Sequence, residues 1–135
     1  GAQGVTGPTG SAGPTGSGPT GPTGPAGADA VVNTATWASS VTINFSSYNV
    51  YVLTLAGTTT VSSITGGTDG RIYTIKFKQD ATGSRVVNTL PSSVRFNTTF
   101  PSYTASTTAN KLDIIRLQYD ATAAKFDVIG IVTGI

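Results

Sequence analysis

The side chains in this chain best suited to chemistry are its aspartates. Asp69, Asp80, Asp113, Asp120 and Asp127 are spread along the C-terminal part of the sequence. Two carboxylates at the right separation can act as acid and nucleophile or base, as in glycosidic cleavage. Four of the five, however, fall in or beside predicted turns, where aspartate commonly bonds its own backbone. The chain has no His and no Cys, which removes the commonest general base and the thiol nucleophile. No D-x-[DN]-x-[DN]-G spacing is present, so the aspartates do not spell a calcium loop. The expectation is a protein with no catalytic residues, no cofactor and no metal.

Recognition is the better-supported chemistry. Phe100, Pro101 and Tyr103 sit in an irregular stretch, 97–110, and long loops on a rigid scaffold often carry binding. They are the candidate receptor contacts, and aromatic rings suit carbohydrate stacking. Asn44-Phe45-Ser46 and Asn97-Thr98-Thr99 match the N-glycosylation pattern. A net charge of +2, without a basic cluster, does not suggest nucleic acid. No segment approaches the roughly 18 apolar residues of a membrane span.

Glycine sets the organisation. It recurs at every third position from Gly1 to Gly16 and again from Gly18 to Gly27, with one residue missing at Gly16-Ser17-Gly18. Proline fills X positions at Pro8, Pro14, Pro19, Pro22 and Pro25. This is the signature of a collagen triple helix, in which only glycine fits the shared axis. Gly4, Gly7, Gly10, Gly13, Gly21, Gly24 and Gly27 are the expected axial residues. The partners are therefore two identical chains. Residues 1–29 read as a stem about 85 Å long, at about 3 Å per residue. Thr9, Thr15, Thr20 and Thr23 take outward Y positions and are candidates for O-linked sugars.

Residues 30–36, where the beat is lost, read as a neck. From Trp37 to Ile135 the pattern is strands and turns. Val41, Ile43 and Phe45 alternate with polar residues, as do Tyr73, Ile75 and Phe77. Asp80-Ala81-Thr82-Gly83 predicts a hairpin turn into 84–88. Segments 112–119 and 125–132 are apolar on both faces, which predicts a second buried surface between subunits. Trp37, Ile114, Ile129 and Ile131 are the candidate trimer-interface residues. The fold class is all-β: a triple-helical stem and a β-sandwich or jelly-roll-like head of about eight strands, assembled as a homotrimer.

The run Ile75-Lys76-Phe77-Lys78-Gln79-Asp80-Ala81-Thr82-Gly83-Ser84-Arg85 resembles a β module of bacteriophage fibre and other virion structural proteins. The likeness continues through Leu90-Pro91-Ser92-Ser93-Val94-Arg95-Phe96 and Thr107-Thr108-Ala109-Asn110-Lys111-Leu112-Asp113 to the Tyr119-Asp120 turn, covering about residues 50–132. The family tends to carry tryptophans where Asn88-Thr89-Leu90 and Phe96 stand here. The resemblance implies a trimeric, non-enzymatic fibre on the virion surface, extracellular, on the tail or the capsid. It does not identify a receptor; the expected partners beyond the two identical chains are other virion proteins at the N-terminal end and a host cell-surface polysaccharide. A collagen-like adhesin of a bacterial or spore surface is the alternative, since it also joins such stems to trimeric β heads.

Overall fold

The computed structural model describes residues 30–135. The Gly-X-Y segment, with its axial glycines and outward threonines, lies outside the described residues. The rest is all-β. Its strands are β1 (Val32–Ala35), β2 (Ser40–Asn44), β3 (Val50–Leu55), β4 (Thr60–Thr65), β5 (Ile72–Gln79), β6 (Val94–Arg95), β7 (Leu112–Asp120) and β8 (Lys125–Val132).

These strands form a six-stranded sheet, ordered β1-β3-β5-β7-β8-β6, and a two-stranded sheet of β2 and β4. The first five strands alternate between the sheets. Parallel strands need a crossover, and here each crossover is a strand of the other sheet. β1 and β3, β3 and β5, and β2 and β4 are all parallel. The winding is that of a β-solenoid. A last partial coil is marked by the parallel bridge between Thr59 and Val87. The chain then closes in an antiparallel meander, β5 to β7 to β8, with β6 parallel to β8 on the far edge.

The jelly-roll expectation is corrected by these parallel ladders, because a jelly roll is antiparallel throughout. Alternation of apolar residues reports which face a strand buries and carries no direction, so the sequence signal was the same for both. Within 30–36, β1 pairs with β3 through four residues.

The parallel register stacks like on like. Tyr51 stands beside Ile75 and Leu53 beside Phe77, while Val41 pairs with Val61 and Ile43 with Ile64. These side chains share one core with Ile115, Leu117, Phe126 and Val128. Burying each such side chain contributes about 1.5–3 kcal/mol. Phe45, carried past the end of β2, stacks on Tyr73 at 4.5 Å between ring centroids and joins the sheets.

Segment 84–88 does not return as a hairpin partner of β5; that place belongs to β7. The cause is Gln79, which is 2% exposed. Its Oε1 accepts from Arg85 N at 2.9 Å, and its Nε2 donates to Arg85 O at 2.8 Å and Ser106 O at 2.6 Å. The side chain thus takes the backbone groups that a returning strand would need. Val86 and Asn88 bond instead to both sides of Thr59.

Candidate receptor-contact surface

The expected receptor loop does not present its aromatics. The Tyr103 ring stacks on Phe77 at 6.0 Å, and its hydroxyl donates to Asp113 Oδ2 at 2.8 Å. Burial, with Asp113 beside it, pushes the Tyr103 hydroxyl pKa well above its ordinary 10.0. Phe100 is half-buried against the core. Only Pro101 is exposed. An aromatic residue in an irregular segment is as useful for plugging a core as for recognition, and here the first use wins.

The candidate interface residues also part company. Trp37 is half-buried; its Nε1 donates to Thr59 Oγ1 at 2.8 Å, and its ring lies over Gly57, where an added Cβ would stand 2.7 Å from it. Ile131 packs against the core, Ile129 is exposed, and Ile114 lies on the outer face of the large sheet. A bulge explains the split. Arg116 pairs with Gly130 but Leu117 with Val128, leaving Ile129 as the extra residue. Across the bulge the inward parity changes, from Phe126 and Val128 to Ile131.

The aspartates are engaged locally. Asp69 Oδ1 accepts from Ala121 N. Asp80 Oδ1 accepts from Thr82 N and Gly83 N, and Arg85 grips the same carboxylate. Asp113 is 1% exposed and takes four donors. Asp120 Oδ1 accepts from Thr122 N and Ala123 N. Among the described residues no group of three His, Cys, Asp or Glu side chains could hold a metal. Both glycosylation-pattern asparagines serve turns, Asn44 through Ser46 N and Asn97 through Thr99 N and Phe100 N.

What the structure does bring together is Arg95, Asp120 and Asp127. β6 places Arg95 directly beside Asp127 on the outer face. Its Nε and Nη2 grip Asp127 in a bidentate fork, and Nη2 also donates to Asp120 Oδ2 at 3.0 Å. These carboxylates raise the Arg95 pKa. The fork fixes the guanidinium plane and leaves its Nη1 donors directed elsewhere. An open cleft of about 360 Å³ lies here, lined by Arg95, Phe96, Asn97, Gln118, Asp127 and Ile129, with Val128 at its base. Gln118 is steadied by its Nε2 bond to Gly70 O at 3.0 Å, and Asn97 by its Nδ2 bond to Val128 O at 2.7 Å. The sequence signal that could have found this site is the spacing of Asp120 and Asp127 across one hairpin. Only the pairing of β6 to β8 adds Arg95.

Residues 37–123 match the family described as "Putative phage tail fibre C-terminal domain". This chain belongs to the phage tail fibre C-terminal domain family. No curated protein and no solved structure matches it. The match takes in the Lys78-Gln79-Asp80-Ala81-Thr82-Gly83 run, and in the fibre domain those residues are anchors. Gln79 and Asp80 hold the segment that follows, Ser84 N donates to Thr107 O at 2.6 Å, and Asn110 N donates to Asp80 O at 3.0 Å. The Thr-Ala-Asn-Lys-Leu-Asp run is thereby tied to the first motif, and it ends on buried Asp113.

The exposed ion pairs give the fibre domain an acid limit. Asp80 and Asp120 both lie below the ordinary 3.8, Asp80 chiefly through the Arg85 hydrogen bond and Asp120 chiefly through the Ala123 backbone N–H. A carboxylate depressed in the folded state stabilises it above the unfolded pKa, and loses that effect as pH falls through the folded value. Melting temperatures are therefore expected to hold from neutral pH down to near 3.8 and to fall below it. Asp80→Asn and Asp120→Asn should each flatten that fall in a pH series of thermal melts.

Proposed function

We propose that this protein is a trimeric, non-enzymatic tail fibre in which residues 30–135 form the head that holds three chains together and contacts the host surface. Family membership supports the fibre role and favours a phage fibre over a bacterial surface adhesin. The three-residue glycine period supports three chains. The observation that carries host contact is the Arg95 cleft. Its volume falls in the range of small-molecule sites, about 300–1,000 Å³. It combines a fixed guanidinium, the Asp127 carboxylate and the Asn97 and Gln118 side-chain amides with the apolar Ile129 and Phe96. Vicinal hydroxyls of a sugar can accept from the guanidinium and donate to the Asp127 carboxylate, while the sugar's C–H face rests on the apolar side. A saccharide of the host cell surface is thus the ligand class the cleft fits.

Arg95→Ala is the test. The side chain is 48% exposed, so the fold should tolerate its loss. The variant should keep its melt and trimer mass and lose at least about tenfold in affinity for host polysaccharide, as expected when a charged hydrogen-bonding group is removed. Unchanged adsorption to host cells would move the contact elsewhere.

A further inference from the structure

Part of the outer face of the six-stranded sheet, around outward Thr74, Lys76, Lys78 and Arg116, is apolar although it is turned away from the core. Antiparallel and edge sheets with one solvated face normally alternate apolar inside with polar outside. Here Val50 and Val52 alternate with buried Tyr51 and Leu53. Leu112 and Ile114 alternate with buried Asp113 and Ile115. None of these four outward side chains packs against the core. Val32 and Val132, which continue the face at either side, are 55% and 50% exposed.

The face has two unlike halves. Val32, Val50 and Val52 lie on β1 and β3; Leu112, Ile114 and Val132 lie on β7 and β8. Between them runs β5, whose outward Lys76 stands in register between Val52 and Ile114. Neither Lys76 nor Lys78 has an ion-pair partner among the described residues.

Symmetry makes this division useful. A ring of three cannot be built from a self-complementary patch; it needs two different patches, one for each neighbour. The glycine period ends at Gly27, and β1, an edge of this same sheet, begins at Val32. A stem of three chains would therefore deliver three copies of this face to one place at high effective concentration.

We propose that the outer face of the large sheet is the contact between copies, with the β1–β3 half of one head packed on the β7–β8 half of the next. This rests on the trimeric reading given above. The occupant is a second copy of this chain, and the basic column of β5 is left between the two contacts. The Arg95 cleft stays open in this arrangement. Gln118 is four residues along β7 from Ile114, about 13 Å at the usual strand rise, and Asp127 lies at the opposite end of β8 from Val132.

The experiment uses the full chain and sedimentation equilibrium, with thermal melts to verify folding. Val50→Glu, whose register neighbours Val32 and Thr74 carry no charge, and Ile114→Lys each place an unpaired charge in one half of every contact, and each should raise the trimer dissociation constant at least roughly tenfold. The double variant places Glu opposite Lys at every head-to-tail contact and should recover most of the loss. Thr42→Lys, on the exposed face of the small sheet, should remain a trimer. Trimers in both single variants would overturn this face as the contact while leaving the trimeric reading intact. A monomeric native chain would overturn both. A double variant as dissociated as the singles, or dissociation by Thr42→Lys, would overturn the head-to-tail pairing. Single variants that stay trimeric yet lose retention on an anionic polysaccharide column would assign the face to a ligand instead, and also overturn the proposal.

Discussion

Replacing Asp113 by alanine is expected to lower the melting temperature of the fibre domain by about 15–30 °C. The carboxylate is 1% exposed and accepts only. Oδ2 takes the Tyr103 hydroxyl at 2.8 Å and Ser106 N at 2.7 Å; Oδ1 takes Ser106 Oγ at 2.6 Å and Gly134 N at 2.9 Å. All four donors come from segments without a ladder of their own: the stretch between β6 and β7, and the residues after β8. Removing the acceptor leaves buried donors unmatched, at about 1–3 kcal/mol each and not additively. A net loss of about 4 kcal/mol, at about 4–8 °C per kcal/mol for a domain of this size, gives the expected shift. Tyr103→Phe removes one bond and keeps the stack on Phe77, so it should cost only about 1–2 kcal/mol. An Asp113→Ala melt within about 5 °C of the parent would mean that the segment is held by packing alone.

Asp113 also shows where sequence reasoning stops. An aspartate in the second position of an apolar strand reads as an interruption of that strand, and nothing local marks it as buried. Its donors are seven to 21 residues away. What was legible is what repeats over short range. The alternation of Tyr73, Ile75 and Phe77 named β5 and its inner face, and the two-sided apolar runs named β7 and β8. The same alternation could not tell parallel from antiparallel neighbours, so the coil from β1 to β5 was hidden. Nor could it show the bulge that turns Ile129 outward and Ile131 inward. The packing of the 97–110 loop was hidden for a related reason. Tyr103 is placed by Asp113 and Phe77, from elsewhere in the chain, and Phe100 packs against the core. Arg95 was passed over because its meaning depends on a two-residue edge strand that only β8 makes visible.

Gly83 and Gly70 should respond very differently to the same substitution. Both have positive φ, +74° and +76°, so an alanine at either must adopt the left-handed conformation at about 1–2 kcal/mol. Around Gly70 nothing lies within 4 Å of an added Cβ, and that backbone cost is all that Gly70→Ala should show. At Gly83 the Cβ would stand 2.8 Å from both Ala109 N and Thr107 O. Those are backbone atoms, and they belong to the segment that Ser84 N and Asn110 N pin in place. Relief requires the two loops to separate, which would weaken the Ser84–Thr107 bond and shift the Gln79 anchor. Adding about 1–3 kcal/mol for overpacking puts Gly83→Ala near 3–4 kcal/mol, readable as a lower urea midpoint at an unchanged slope. Equal losses at the two sites would show that the loops part freely and that the Lys-Gln-Asp-Ala-Thr-Gly run has another purpose. The larger loss at Gly83 would assign that run to holding the irregular half of the domain against β5. Under the proposed function, recognition would then rest on side chains outside that run, Arg95 first among them.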